Sequence, residues 1–137
     1  MTTAAKQTVH SGHTIRIRMR NAVVGRLQGF DGDRNFGTEG VYEIGSMMPQ
    51  ELVNNRYEGS FSCERFLVRK KDLAKIGLAS VGEEVLKKEP FVVEIVDKYT
   101  GEVTRSYHGC TIQNYRESIR VGAIAGENAT FMYLYAK

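Results

Sequence analysis

Residue types that bind metals are sparse in this chain of 137 residues. His10 and His13 lie three residues apart in a polar N-terminal stretch, and His108 is the third histidine. A metal centre needs several ligands that secondary structure holds together, and these positions do not supply them. We therefore predict no metal site.

Catalytic motifs are also missing from the sequence. There is no Gly-x-Ser-x-Gly nucleophile motif, and Gly25 and Gly29 lack the lysine of a phosphate loop. Cys63 and Cys110 are far apart in strand-like segments, which favours two reduced thiols in a core. The carboxylates on predicted strands suit solvated strand faces; they are Glu58, Glu64, Glu94, Glu102 and Glu117. We expect no enzyme and no cofactor.

A row of arginines is the clearest charge feature. Arg16, Arg18 and Arg20 alternate with apolar residues from Ile15 to Met19, so they share one face of a predicted strand. The row fits phosphates or the acidic surface of a partner. It also fits the solvent side of an edge strand, where positive charge discourages stray pairing.

Residues 55–78 predict a strand followed by a short helix. Tyr57, Gly59, Phe61 and Cys63 fall on one parity with polar residues between them, which indicates a strand with one buried face. The period then changes among charged residues. Asp72 is a candidate helix cap and Gly77 a candidate helix end; both flank a predicted turn of helix.

The rest of the chain reads mainly as strands. Residues 91–96 and 103–108 form the clearest hairpin, and residues 110–115 alternate strictly in a separate next strand. Residues 30–33 read as a turn, and residues 82–89 as a helical turn. The final strand, residues 129–136, is apolar on both faces, so we expect a neighbouring subunit to cover one of them. Met47 and Met48 lie in a predicted loop, which contacts another molecule or packs on its own core.

Composition and charge fit one globular domain. Hydrophobic residues make up 42% and charged residues 26%, and the formal net charge is +3. We predict an N-terminal arm over residues 1–13 and a single β domain over residues 14–137. No apolar run is long enough to cross a bilayer, so we expect no membrane partner.

The order of the parts resembles the tail tube proteins of tailed bacteriophages, most of all those of contractile-tailed phages. A long first hairpin and a glycine-bearing loop precede Pro-Gln-Glu-Leu-Val at 49–53 and Arg-Tyr-Glu-Gly-Ser-Phe-Ser at 56–62. Lys-Asp-Leu-Ala-Lys-Ile-Gly follows at 71–77, and a hairpin and an apolar terminal strand close the chain. The resemblance covers roughly Ile15 to the C-terminus.

The resemblance implies a fold of two antiparallel sheets, packed as a sandwich or half-barrel with one short helix. It further implies that six subunits join their sheets into a ring-shaped barrel and that rings stack into a tube. DNA passes through this tube without specific binding. Implied partners are further copies, sheath, tape measure, baseplate and tail terminator proteins. The implied location is the virion tail, after assembly in the host cytoplasm.

The same resemblance, with the residue patterns, assigns candidate roles to three sets of residues. Candidates for contacts between subunits or rings are Asp33, Arg34, Phe36, Tyr42, Met47, Met48, Phe131, Tyr133 and Tyr135. Candidates for the channel wall are Glu58, Ser60, Ser62 and Glu64, because carboxylates and hydroxyls let phosphates slide. Arg16, Arg18 and Arg20 are expected to meet acids at an interface or to face the outer surface.

Two alternatives stay open. One is the inner tube of a phage-derived contractile injection or secretion system, which shares this fold. The other is a small β-barrel that binds single-stranded nucleic acid through the arginine row and exposed aromatics such as Tyr99 and Tyr115.

Overall fold

The computed structural model describes residues 11–12, 14–20, 22–23, 25, 27–67, 72–79 and 81–137. Ten strands dominate these residues, and a 3-10 helix spans Glu83–Lys87. No helix in the described part of the chain is long and apolar enough to cross a bilayer. The predicted, mainly β fold is confirmed. The strands are Ile15–Met19 (β1), Ala22–Val23 (β2), Leu27–Asn35 (β3), Thr38–Val41 (β4), Glu51–Asn54 (β5), Glu58–Phe66 (β6), Phe91–Asp97 (β7), Val103–Ser118 (β8), Gly126–Tyr133 (β9) and Tyr135–Ala136 (β10).

One antiparallel sheet curls into a half-barrel, in the order β2-β1-β7-β8-β9-β6-β3, while β4 and β5 form a separate small hairpin sheet. The long strand β8 belongs to both halves of the curl. It pairs with β7 up to Cys110 and with β9 from Thr111 onward. The two predicted sheets are therefore two halves that share one strand.

Gly109 lies where β8 passes from one half to the other. Its φ is +71°, which a residue with a side chain adopts only at a cost. A Cβ at this position would also lie 2.6 Å from Cδ1 of Leu134. The sequence pattern had suggested two separate strands here, and the glycine instead lets one strand change direction.

An aromatic cluster fills the core between the two halves. Phe61 is its centre, with ring centroids 5.1 Å from Phe30, 5.1 Å from Phe131 and 5.3 Å from Tyr107. Phe61 and Cys63 are almost completely buried, as the alternation in residues 57–63 predicts. Burial of several large rings is the main apolar contribution to such a core.

Two predicted contact residues lie inside this core. Phe131 is fully buried, and Tyr133 is 5% exposed, with its hydroxyl donating to the Asp33 carbonyl at 3.2 Å. The prediction that these two side chains contact another subunit is therefore wrong, because the protomer itself covers them. On β9 the opposite face is open, where Met132 is exposed, and Leu134 directly after β9 is exposed as well.

Three local predictions need correction. Residues 30–33 are not a turn, because they pair with β6 along β3. Residues 73–77 form a hydrogen-bonded turn instead of a regular helix, although the predicted ends are right. The Asp72 carboxylate accepts the Lys75 N–H at 2.7 Å, and Gly77 has a φ of +87°. The expected helical turn near 82–89 is present as the 3-10 helix.

Candidate functional site: an acidic sheet face with open edges

Four strands form a layer in which one face is buried and the other faces solvent. This four-strand layer consists of β3, β6, β9 and residues 111–118 of β8. Cross-strand partners in an antiparallel sheet point to the same side, so the pairing defines each face. The solvent side, here called the acidic face, carries Asp31, Asp33, Asn35, Glu58, Ser60, Ser62, Glu64, Thr111, Asn114, Arg116, Ser118, Asn128, Thr130 and Met132.

Negative charge predominates on this face. Its strands carry four carboxylates, on Asp31, Asp33, Glu58 and Glu64, against the single guanidinium of Arg116. Arg56, just before β6, lies 3.0 Å from Glu58, but this pair is exposed and therefore weak. The face consequently repels phosphates more than it attracts them.

The four residues predicted to line a channel lie together on this face. Glu58, Ser60, Ser62 and Glu64 occupy successive outward positions of β6, so the sequence pattern placed them correctly on one surface. Asp31, Asp33 and Arg116 were not predicted for this face, although Asp33 was predicted as a contact residue. The alternation of Asp31 and Asp33 with inward-facing Phe30 is the signal that would have revealed β3.

Arg116 escaped prediction because a β-bulge shifts the parity of β8. Ile112 pairs with Phe131 and Asn114 with Thr130, so Gln113 is an extra residue on this strand. Beyond the bulge, Tyr115 points into the core and Arg116 onto the acidic face. Strict alternation from Cys110 assigns both residues to the wrong side.

Both edges of the four-strand layer are open among the described residues. β3 pairs only with β6, and residues 111–118 of β8 pair only with β9. The four strands alternate in direction, so β3 and β8 run antiparallel to each other. A second copy that placed its β3 beside this β8 would therefore continue the same antiparallel sheet.

A buried carboxylate holds the layer against the segment of residues 72–79. Glu127 accepts hydrogen bonds from the guanidinium of Arg65, the backbone N–H of Leu73 at 3.2 Å and the hydroxyl of Tyr115. Arg65 and Glu127 are 5% and 2% exposed, so this is an ion pair of the protein interior. Its full set of partners fixes the position of Leu73, which is completely buried.

The same surroundings shift two nearby pKa values. Burial, with the Glu127 charge as a smaller cause, raises the pKa of the Cys63 thiol to about 12. Burial first and the hydrogen bond to Glu127 second raise the pKa of Tyr115 above its ordinary value. Both groups are therefore neutral at physiological pH. Tyr115 is also engaged in the core, which removes it from the aromatics expected to stack on nucleic-acid bases.

Arg16 and Arg18 lie on β1, and Arg20 directly follows it. Among the described residues β1 pairs with β2 and β7, and it is not part of the four-strand layer. Arg16 and Arg18 face away from buried Ile17 and Met19, as predicted. Arg18 donates through Nε and Nη2 to both oxygens of Glu94, at 3.2 and 3.0 Å. The acid that pairs with Arg18 is thus in its own protomer, and the expected place of the arginine row at an interface or on the outer surface stays a prediction.

Arg20 also interacts with residues of its own protomer. Its guanidinium donates to the Glu89 carbonyl at 3.2 Å and lies 5.3 Å from the ring centroid of Phe91. Arg16 is exposed, and it forms no ion pair with any of the described residues.

The β4–β5 hairpin presents apolar side chains to solvent. Tyr42, Ile44, Met47 and Met48 are exposed, Met47 by 95%, so the methionine loop does not pack on its own core. Leu52 on β5 adds to this surface and was not predicted. The hairpin joins the end of β3 to the start of β6, so it lies at one end of the four-strand layer.

A second apolar segment lies at the opposite end of the layer. Ile119, Val121 and Ile124, in the connection between β8 and β9, are all exposed. Phe36 and Tyr135, two other predicted contacts, are 52% and 47% exposed. Large exposed apolar groups at both ends of one layer indicate contacts with other chains.

In the part of the chain that the structure describes, no three histidine, cysteine, aspartate or glutamate side chains lie close enough together to hold a metal ion. His10 and His13, together with nearly all of the predicted arm, lie outside the described residues. His108 stacks on Tyr135 with ring centroids 4.7 Å apart, and its Nε2 is 2.9 Å from the Ser106 hydroxyl.

The SPP1 tail tube and the sheath–tube complex of an extracellular contractile injection system contain chains with this curled antiparallel fold. The present chain is a tail tube protein of that class. It belongs to the Phi812 tail tube protein family, whose sequence model matches residues 4–137.

A curated relative agrees with this assignment. The chain is 39% identical over 134 residues to Virion protein 5 of Enterococcus phage phiEF24C, an alignment that covers 98% of this chain and 96% of that protein. The expected place of the protein in a phage virion is supported accordingly.

Solved structures share the fold. The tube terminating cap of the anti-feeding prophage matches with a TM-score of 0.70 at 13% identity, covering 99% of this chain and 94% of that chain. The SPP1 tail tube matches with a TM-score of 0.67 at 10% identity, covering 92% of this chain and 76% of that chain. At these identities the matches establish the architecture of the protomer.

Proposed function

We propose that six copies of this protein form a ring whose four-strand layers join edge to edge into one barrel. The observation that carries the proposal is the layer itself, which is solvated on its acidic face. The outer edges of β3 and of residues 111–118 of β8 have no strand partner among the residues that the structure describes. Closure of the ring satisfies both edges, as in other barrels. Residues 14–137 form the ring domain, and residues 1–13 form an arm.

The rings stack into a tube through their apolar ends. The β4–β5 hairpin, with Tyr42, Met47 and Met48 exposed, reaches toward the next ring, and residues 119–125 lie at the opposite end of the layer. A contact between two different surfaces of identical subunits does not close on itself, so it builds an open-ended stack. Asp33, Arg34, Phe36 and Tyr135 belong to the remaining contact surface.

The tube is a structural conduit for DNA and not an enzyme. Glu58, Ser60, Ser62 and Glu64 face the channel, where carboxylates repel phosphates and prevent tight binding during passage. The protein acts in the virion tail after assembly in the host cytoplasm. Its partners are further copies of itself and the sheath, tape measure, baseplate and terminator proteins of the same tail.

The same tube in a phage-derived contractile injection system is the second candidate. Structural matches to the sheath–tube complex of such a system, with a TM-score of 0.66 at 9% identity, support the shared architecture. The relative from a phage virion favours the phage tail.

Assembly of the purified protein tests the proposal. We expect negative-stain images at high protein concentration to show hollow tubes. The variant Ile44→Ser/Met47→Ser/Met48→Ser removes the exposed hairpin tip and should yield separate rings with few tubes. A matched control, Thr100→Ser/Glu102→Gln at the exposed turn before β8, should form tubes like the wild-type protein. A wild-type protein that stays monomeric at every concentration would overturn the proposal.

A further inference from the structure

We propose that Arg116 on β8 of one protomer forms an ion pair with Asp33 on β3 of its neighbour, and that this pair sets the register of the seam between them. The inference rests on the proposed ring and specifies its edge contact. It commits the open edge of each four-strand layer to one occupant, a second copy of this chain.

Charge complementarity is the first argument. On the acidic face, β3 carries Asp31 and Asp33 at the edge, while residues 111–118 of β8 carry Arg116. All three side chains are exposed, and none of them forms an ion pair within the described residues. On the other face the signs are reversed between the edges, with Arg34 on β3 and Glu117 on β8. Each edge therefore offers charges that suit the opposite edge on both faces.

The pairing within one layer restricts the possible registers. The row that contains Arg116 continues through Asn128 and Glu64 to Gly29 on β3. Side chains must keep to the same face when a sheet continues, so a neighbouring β3 can shift only by an even number of residues. Even shifts along β3 thus place Arg116 opposite Gly29, Asp31, Asp33 or Asn35.

Barrel geometry favours the register that places Arg116 opposite Asp33. Strands of closed barrels tilt by about 35–45°, which corresponds to an advance of roughly one residue per strand. A layer of four strands therefore moves the row by about four residues, from Gly29 to Asp33. In this register Glu117 lies opposite Gly32 and diagonal to Arg34, so a second pair of opposite charges comes within reach.

Asp33 and Arg34, adjacent residues on β3, have different surroundings in the protomer. Asp33 is held in the protomer by its backbone, because its carbonyl accepts the Tyr133 hydroxyl at 3.2 Å while its side chain stays on the acidic face. Arg34, on the other side, lies 5.8 Å from the ring centroid of Tyr107. The Asp33 and Arg116 side chains are both exposed on the acidic face, so substitutions of these two residues leave the protomer folded.

Cysteine pairs test the register. Arg116→Cys/Asp33→Cys should give oxidised ladders of up to six linked protomers, because directly opposite residues on antiparallel strands have Cβ atoms close enough for a disulfide. The native Cys63 and Cys110 are buried and give little background. Predominant cross-linking when Arg116→Cys is combined with Gly29→Cys, Asp31→Cys or Asn35→Cys would overturn the Asp33 register.

Charge reversal supplies a second, independent readout. Arg116→Asp and Asp33→Arg should each raise the protein concentration needed for half-assembly about tenfold or more, because like charges then face each other. The double variant Arg116→Asp/Asp33→Arg should restore assembly to within about threefold. Arg105→Asp, exposed on the half of β8 that pairs with β7, is the matched control and should behave like the wild-type protein.

These outcomes distinguish a failure of the Arg116–Asp33 contact from a failure of the proposed ring. If the wild-type protein forms rings but the reversed pair does not restore assembly, the Arg116–Asp33 contact is wrong while the proposed function stands. If the wild-type protein forms no ring, both fall.

Discussion

Glu127 concentrates three hydrogen-bond donors on one buried carboxylate. It joins β9 to Arg65 on β6, to Tyr115 on β8 and to the backbone of Leu73. A charge of this kind is tolerated in an interior only when its partners are complete. The acidic face thus depends on a single buried residue behind it, which holds three of its elements in place.

Replacement of this carboxylate should destabilise the protomer strongly. Glu127→Gln keeps the size of the side chain but leaves Arg65 buried without its counter-charge, so we expect a loss of about 3–5 kcal/mol in the free energy of unfolding. Urea denaturation of the unassembled protomer, followed by circular dichroism, measures this change. Exposed Glu102→Gln should stay within about 0.5 kcal/mol of the wild-type protein. Equal stability of the two variants would contradict this role of Glu127.

Individual strands differ in how well the sequence predicts them. β6 was predicted in detail because its alternation of Gly59, Phe61 and Cys63 with polar residues is unbroken. β3 was misread because Asp-Gly-Asp is typical of turns, whereas pairing with β6 along its whole length overrides that local preference. Capping at Asp72 was predicted, but the chain ends the turn before a regular helix forms.

The bulge at Gln113 and the bend at Gly109 show a different limit. Both depend on pairing between strands that are distant in sequence, and neither changes the local composition. The arginine row shows the same limit for charges. Its alternation was predicted, but the acid that pairs with Arg18 lies 76 residues away on β7.

The bend in β8 should be sensitive to an added methyl group. Gly109→Ala and Gly101→Ala both place alanine at a positive φ, which costs about 1–2 kcal/mol. Only Gly109→Ala also brings a Cβ against Leu134, so it should lose about 1–3 kcal/mol more. Thermal unfolding of the two variants gives the difference. Leu134→Ala in the Gly109→Ala background should recover it, and a lack of recovery would show that Leu134 is not the cause.

At the scale of the whole molecule, charge is divided between surfaces. The arginine row lies on β1 and directly after it, and Arg18 forms an ion pair within the protomer. Four carboxylates lie on the acidic face of the four-strand layer. This division suits a tube whose wall must not hold the DNA that passes along it. The net charge of +3 therefore does not describe the surface that matters for function.

Reversal of charge on the acidic face should make the tube retain DNA. We expect tubes of Glu58→Lys/Glu64→Lys to co-sediment with a short DNA duplex, to protect it from nuclease and to release it as salt increases. Wild-type tubes should retain none. Glu89→Lys/Glu102→Lys makes the same change in net charge at exposed positions outside the acidic face, so it should protect no DNA. Equal protection by both variants would place the effect outside the channel.

A helical reconstruction of tubes grown from the purified protein would show directly whether the protomers join as proposed. We expect six protomers per ring, one continuous antiparallel barrel made of their four-strand layers, and Glu58 and Glu64 facing the lumen. A tube in which the acidic face points outward, or in which the layers of neighbouring protomers do not join, would contradict this expectation.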